Sequence, residues 1–273
     1  MFRLMLAMML FASAAFAYDI EHLIKDATAH HAKSLASFDD MKLEYTGKFM
    51  APGEGGESSI TSTMYRKGEK WRMEGSMDMK GGKTTVNGKE MSGTGGLETV
   101  VLFDGKDTWT TAMGMKMKLP KDQAGSQTDY AEYWKEPPAG SKVVGEETVG
   151  GRAAWLVEYP ENKMSKEPVK MWIDKEHFVH LQSTTMLSGK TIKSVFSDLK
   201  TVHGDFVIPY HAEVFSDDTK TMTVDLTKVE INKGLSDDLF NESILEGGSM
   251  DMDIEKLMKQ AEEMQKKYGG GSK

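Results

Sequence analysis

Apolar and polar residues alternate along most of this chain. In Lys42-Leu43-Glu44-Tyr45-Thr46-Gly47-Lys48-Phe49 the apolar side chains fall mostly on odd positions. Successive side chains of a strand point to opposite faces, so the run predicts a half-buried strand. The same signal returns over 71–79, 100–103, 108–110, 113–119, 141–149, 152–159, 168–174, 177–187, 190–199, 206–215 and 219–231. In the last of these, Met222, Val224 and Leu226 keep one parity while Val229 and Ile231 take the other, which predicts a bulge near Thr227-Lys228. Asn87-Gly88, Asp104-Gly105, Gly150-Gly151 and Ser188-Gly189 sit between strand-like runs. Such pairs accept positive φ angles and predict tight two-residue hairpin turns.

Helical spacing is confined to a few places. Asp19 can cap a helix over 19–37, where Ile20, Leu23, Ile24, Ala27 and Leu35 fall near a 3.6 period. Residues 121–135 form a second helix, closed by Pro137-Pro138, and 236–245 a short third. A charged amphipathic helix over 253–268 carries Ile254, Leu257, Met258 and Ala261 on one stripe, and a flexible tail follows. About ten strands joined by hairpins, with no βαβ alternation and no fixed repeat, give a mainly β fold. It is one strongly curved antiparallel sheet with a few covering α-helices.

Parity also organises the methionines. In Trp71-Arg72-Met73-Glu74-Gly75-Ser76-Met77-Asp78-Met79 the Trp and Met residues are odd and the charges even; Met113, Met115 and Met117 repeat the pattern. These runs read as the apolar faces of two strands, each with a Trp nearby: Trp71 for the first and Trp109 for the second. Three readings follow. The face is an ordinary core, or it is a groove for variable apolar ligands, which flexible thioethers suit. Or it is a soft-metal site, since thioethers can hold Cu(I).

The N-terminus sets the compartment. Arg3, the apolar run Leu4 to Phe11 and Ala15-Phe16-Ala17 read as a secretory signal peptide over 1–17, which places the mature chain in the periplasm. Four of the 22 methionines lie in that segment. No later run approaches the roughly 20 apolar residues of a membrane helix. The absence of cysteine removes thiol catalysis and Cys-ligated metals. A net charge of −8 with interspersed signs disfavours nucleic acid and anionic membrane surfaces as partners.

Spacing offers little chemistry. His22, Asp26 and His30 share one helix face, where a metal could sit, but the plainer reading is a solvated polar face. His177 and His180, three apart on a predicted strand, would point to opposite faces. No Gly-x-Ser-x-Gly elbow occurs. Gly81-Gly82-Lys83-Thr84 lacks an upstream Gly at phosphate-loop spacing, and Asp198, Asp205, Asp217 and Asp218 lack the order of a calcium loop. Asn241-Glu242-Ser243 matches a glycosylation sequon of the kind that arises by chance. The reading is a non-enzyme with no catalytic residues, metal or cofactor.

A chain of short features in order then resembles a known family. These are Lys67-Gly68-Glu69-Lys70-Trp71-Arg72, Phe103-Asp104-Gly105-Lys106, Val144-Gly145, Gly151-Arg152 with Ala154-Trp155-Leu156-Val157, and Met171-Trp172-Ile173-Asp174-Lys175. Phe196-Ser197-Asp198, Val207-Ile208-Pro209 and Leu235-Ser236-Asp237-Asp238-Leu239-Phe240 complete the series. The order is similar to that of the periplasmic lipoprotein-sorting superfamily, with a LolA-like half-barrel, over roughly 40–240.

The resemblance implies an incomplete barrel whose mouth is closed by helices, and an apolar cavity for acyl chains. It also implies an Arg in the barrel that steers the lid helices, for which Arg72 and Arg152 are the strand candidates. The organisation expected is a signal peptide over 1–17, a half-barrel domain over 18–245 and a helix with tail over 246–273. The function expected is a carrier or sensor of lipid or lipoprotein acyl chains, lined by Trp71, Met73, Met77, Met79, Trp109, Met113, Met115 and Met117. Its partners are lipid, acylated lipoprotein and envelope proteins. A copper-handling protein and an envelope interaction protein with a filled core are the alternatives.

Overall fold

Asp19 opens the one α-helix among the described residues, α1 (Ile20–Leu35), by accepting the His22 backbone N–H at 2.9 Å. Such a cap satisfies one of the donors that a helix start leaves without an intrahelical partner. The computed structural model describes residues 18–50, 57–78, 83–86, 89–92, 96–112, 115–119, 137–160, 167–187, 189–245 and 248–249. The expected signal peptide, the helices at 121–135 and 253–268, and the turn pair Asn87-Gly88 lie outside these residues.

The rest is strand. The order is β1 (Asp40–Met50), β2 (Glu57–Lys67), β3 (Lys70–Asp78), β4 (Lys83–Val86), β5 (Lys89–Ser92), β6 (Gly96–Phe103), β7 (Thr108–Ala112) and β8 (Met115–Lys118). Then come β9 (Lys142–Val149), β10 (Arg152–Tyr159), β11 (Val169–Asp174), β12 (His180–Leu187), β13 (Lys190–His203), β14 (Phe206–Ser216), β15 (Thr219–Ile231) and β16 (Gly248–Ser249). Fourteen of them make one sheet, ordered β16-β8-β7-β6-β3-β2-β1-β15-β14-β13-β12-β11-β10-β9, and β4–β5 is a separate ribbon. All pairs in the large sheet are antiparallel except the short β16–β8 edge, which is parallel. The sheet does not close, which makes it an incomplete barrel.

Turn chemistry and bulges shape the strands. Gly150 and Gly151, both with positive φ, make the two-residue β9–β10 turn as expected. Asp217 and Asp218 do the same between β14 and β15, also with positive φ, without a glycine to announce it. Asp104-Gly105 instead opens a four-residue loop, because the Asp104 carboxylate accepts the N–H groups of Lys106 and Asp107, both at 2.8 Å. The bulge expected near Thr227-Lys228 is present: Glu44 pairs with Lys228 and Tyr45 with Leu226, which leaves Thr227 over. Residues 236–245 are two 3-10 turns, Asp237–Phe240 and Glu242–Ile244, rather than a helix.

The curl gives the sheet an inner and an outer face. Helix α1 packs on the inner one. Its Leu23 and Ala27 are fully buried against Val157, Met171 and Ile173. Leu35 and Phe38, at and beyond its end, pack on Met41, Leu43, Met64, Phe206 and Ile208. Tyr18 stacks on Trp155 at 4.2 Å between ring centres. Outside, the two 3-10 turns form a strap whose Phe240 and Leu245 bury Leu102. Asp40 secures it by accepting N–H groups of Lys233, Gly234 and Leu235 at 2.9, 2.8 and 3.2 Å.

Candidate ligand-binding face

Residues directly opposite one another on paired strands share a face, so the register sorts every side chain. One inner row runs Leu43, Met64, Met73, Val101, Thr110, Met117 across six strands. The row on one side is Met41, Arg66, Trp71, Phe103, Thr108; on the other it is Tyr45, Ser62, Gly75, Thr99. Beyond these, Ile60 pairs with Gly47 and Met77, and Phe49 with Met222.

The site residues expected from sequence divide accordingly. Trp71, Met73, Met77, Met115 and Met117 lie on the inner face. Trp71 is buried and stacks on Phe103, with 6.3 Å between ring centres. The four methionines are half-buried. Met79 and Met113 are outside the described residues. Trp109 stands on the outer face with Arg72, Leu102 and Lys118. There its ring N–H donates to Asp104 at 3.1 Å, Lys116 and Lys118 stand over its ring, and it packs beneath the strap.

Charge separates the faces more sharply than hydropathy. On β1, β2, β3, β14 and β15, no position that shares the inner face is acidic, and Arg66 is the one base among them. The sequence reading named no strand over 57–67 and so missed Arg66, which β2 places on the inner face. It donates to the Gly68 carbonyl at 3.1 Å. The two arginines singled out from sequence are both outside: Arg72 reaches Glu74 and the Leu239 carbonyl, and Arg152 grips Asp174. Burial alone would raise the Asp174 carboxyl. Arg152, at 2.6 and 3.2 Å, and the backbone N–H groups of His177 and Glu176 overcome it and hold the group below its usual range.

Two glycines shape this face. Gly47 is buried where β1 is squeezed: a Cβ there would lie 2.8 Å from both the Ile60 side chain and the Thr223 carbonyl oxygen. Gly75 is open, with only the Thr99 carbonyl oxygen at 4.0 Å. Ser62, Gly75 and Thr99 therefore form a lane of small, half-buried residues between the Met73 and Met77 rows.

The remaining expected chemistry does not assemble. His22 pairs with Asp19, while Asp26 accepts the Tyr18 hydroxyl at 2.8 Å. Among the described residues, no three acidic or histidine side chains are placed to hold a metal ion. Asn241 caps the second 3-10 turn by accepting the Ser243 N–H.

A DUF1329 family protein from Desulfovibrio piger is 14% identical, with a TM-score of 0.52 over 82% of this chain and 99% of that one. A domain from Vibrio parahaemolyticus described as outer membrane lipoprotein-sorting is 12% identical, with a TM-score of 0.51 over 81% and 98%. Both share the incomplete-barrel fold of this chain. A family model described as "Uncharacterized protein" matches residues 115–247, from β8 of the half-barrel to the end of the strap. No curated protein matches the chain. Among the described residues, no helix of the half-barrel is long and apolar enough to cross a membrane.

Proposed function

We propose that this half-barrel is a non-enzymatic periplasmic carrier or sensor that holds lipid or lipoprotein acyl chains on its inner face. The observation that carries the reading is the charge map. Across β1, β2, β3, β14 and β15 the inner face holds a single charged residue, Arg66, while the outer strand face is dense with ion pairs. An acyl chain gains about 0.8 kcal/mol per buried methylene, and no carboxylate on those inner strands must be desolvated to admit it. Trp71, Met73, Met77, Met115 and Met117 supply adaptable apolar contacts, and Met79 and Met113 continue the same parity. The shared fold of a domain described as lipoprotein-sorting agrees with this reading.

The copper alternative needs thioethers to converge. Strands β6 and β7 separate β3 from β8, so Met73 and Met117 stand three strands apart, roughly 14 Å at ordinary strand spacing. Met73 is paired with Met64 on the neighbouring strand, which brings two thioethers together but none from β8. That spacing favours apolar lining over soft-metal ligation.

The test is native mass spectrometry of the protein purified gently from the periplasm, followed by organic extraction. A stoichiometric acyl lipid supports the proposal and names the ligand class. Protein with no added mass, and no uptake of offered fatty acids or phospholipids, overturns it in favour of a filled-core interaction protein.

A further inference from the structure

Four of the seven histidines gather at one junction between α1 and the turn that joins β11 to β12. The helix contributes His30 and His31; the turn contributes His177, and His180 begins the following strand. His30 lies 5.5 Å from His31 and 6.3 Å from His177, ring centre to ring centre. It also packs on Phe178 at 5.5 Å. His31 is buried, and its Nε2–H donates to the Phe178 carbonyl at 3.1 Å. His180 shares the inner face with Ile173, the residue on which Leu23 and Ala27 rest, and stands 6.2 Å from Phe196. The sequence reading put His177 and His180 on opposite faces of one strand. In fact β12 starts only at His180, and the turn carries His177 to the helix.

Nearby carboxylates are engaged. Asp205, from the β13–β14 turn, is held by Lys33 of the helix at 2.7 Å. Asp174 is occupied by Arg152 and backbone N–H groups. Glu176 is bound by Arg152 and lies 3.6 Å from His177. Lys175 reaches Glu146 and covers Trp155. A fifth histidine, His203, bonds the Ser37 carbonyl just past the end of the helix at 2.9 Å.

We propose that this junction is an acid-sensitive latch: protonation of His30, His31 and His180 releases α1 from the inner face while the sheet stays folded. Buried imidazolium groups lose hydration and repel one another at these distances. Burial, with mutual repulsion, holds His30 and His31 below the usual histidine range. Burial and His31 push His180 down to about 4. Each group with a lowered value binds protons more readily once the helix leaves, so α1 docking weakens as pH falls below the ordinary histidine value of about 6.5. His211, on the outer face of β14, behaves oppositely: Asp225 and Glu213 raise it, so the sheet keeps that contact in acid. Release would bare Val157, Met171 and Ile173, extending the apolar inner face towards β10 and β11.

The test is amide hydrogen exchange on the unliganded protein between pH 7.5 and 5.0, corrected for intrinsic exchange, so its outcome does not depend on the lipid reading. Amides of α1 are expected to lose protection about tenfold or more between pH 7.5 and 5.0, while β1, β14 and β15 keep theirs. The H31Q/H180Q double variant, which retains a donor to Phe178 but takes no proton, is expected to hold α1 at pH 5.0. His30→Gln, at the half-exposed rim of the junction, leaves the buried seat intact and is expected to reduce the response should the double variant not fold. The proposal is overturned if α1 protection is independent of pH, if α1 and the sheet lose protection together, or if a folded double variant releases α1 as the natural chain does.

Discussion

Trp71 and Trp109 stand on opposite faces of the same sheet, one stacked on Phe103 inside, the other roofed by the strap and two lysines outside. They therefore answer to different measurements. Trp71→Asp and Met115→Asp each place a carboxylate on the inner face. Both are expected to cut uptake of a fluorescent fatty acid at least tenfold, since an unpaired charge in an apolar site costs more than the roughly 1.4 kcal/mol that factor requires. Unchanged uptake by folded variants would remove these residues from the binding face.

Trp109→Ala is expected to leave fatty-acid uptake within about twofold and to lower stability instead. The side chain is half-buried, so the loss should be about 2 kcal/mol, below the cost of truncating a fully buried Trp. Urea denaturation measures it. A stable variant with impaired uptake would assign Trp109 to the site after all.

Gly47→Ala tests the squeeze on β1. The added methyl meets the Thr223 carbonyl oxygen, which the β1–β15 ladder fixes, so the strand must shift. A loss of about 1–3 kcal/mol is expected, seen as a lower Tm. Gly75→Ala, with open space above it, should move Tm little.

Acid should loosen the strap through Asp40. Burial opposes its ionisation, but the N–H groups of Lys233, Gly234 and Leu235 outweigh burial and hold the carboxyl below its usual range. A carboxyl lowered on folding stabilises the protein above its ordinary value, about 3.9, and that stability disappears as pH falls through the lowered one. Asp40→Ala is expected to cost about 1–3 kcal/mol at pH 7, by stranding three donors, and to flatten the loss of stability below pH 4. A variant as acid-labile as the natural chain would move the effect elsewhere.

Much of this architecture could be read from alternation, because a single-residue slip would turn a strand's whole apolar set outward. Most of the strand runs and the Thr227 bulge followed from that constraint, and the Asp19 cap from helical spacing; β2 and the β4–β5 ribbon were not read from it. What escaped depended on long-range pairing. The neighbours of Trp109 are fixed by the strap, more than a hundred positions away, so its nearness to the Met115 strand said nothing of its face. Arg66 was invisible because its inner position is set by pairing with Met41 and Trp71. His30 and His177 meet only through the docking of α1. The four-residue loop at Asp104 depended on side-chain bonds that the Asp-Gly pair alone did not reveal.

The place of β1 beside β15 has a kinetic meaning. Strands β1, β2 and β3 follow one another as hairpins, β6, β7 and β8 do likewise, and β9 through β15 form one unbroken meander. The β1–β15 seam, Met41 on Ile231 through Phe49 on Met222, stitches residues nearly the whole described chain apart. Local hairpins can form early, but this seam must wait for a long loop to close, an entropy cost that grows slowly with loop length. Refolding should therefore be limited by one late zipping event at the middle of the sheet, with the apolar inner surface exposed until it completes.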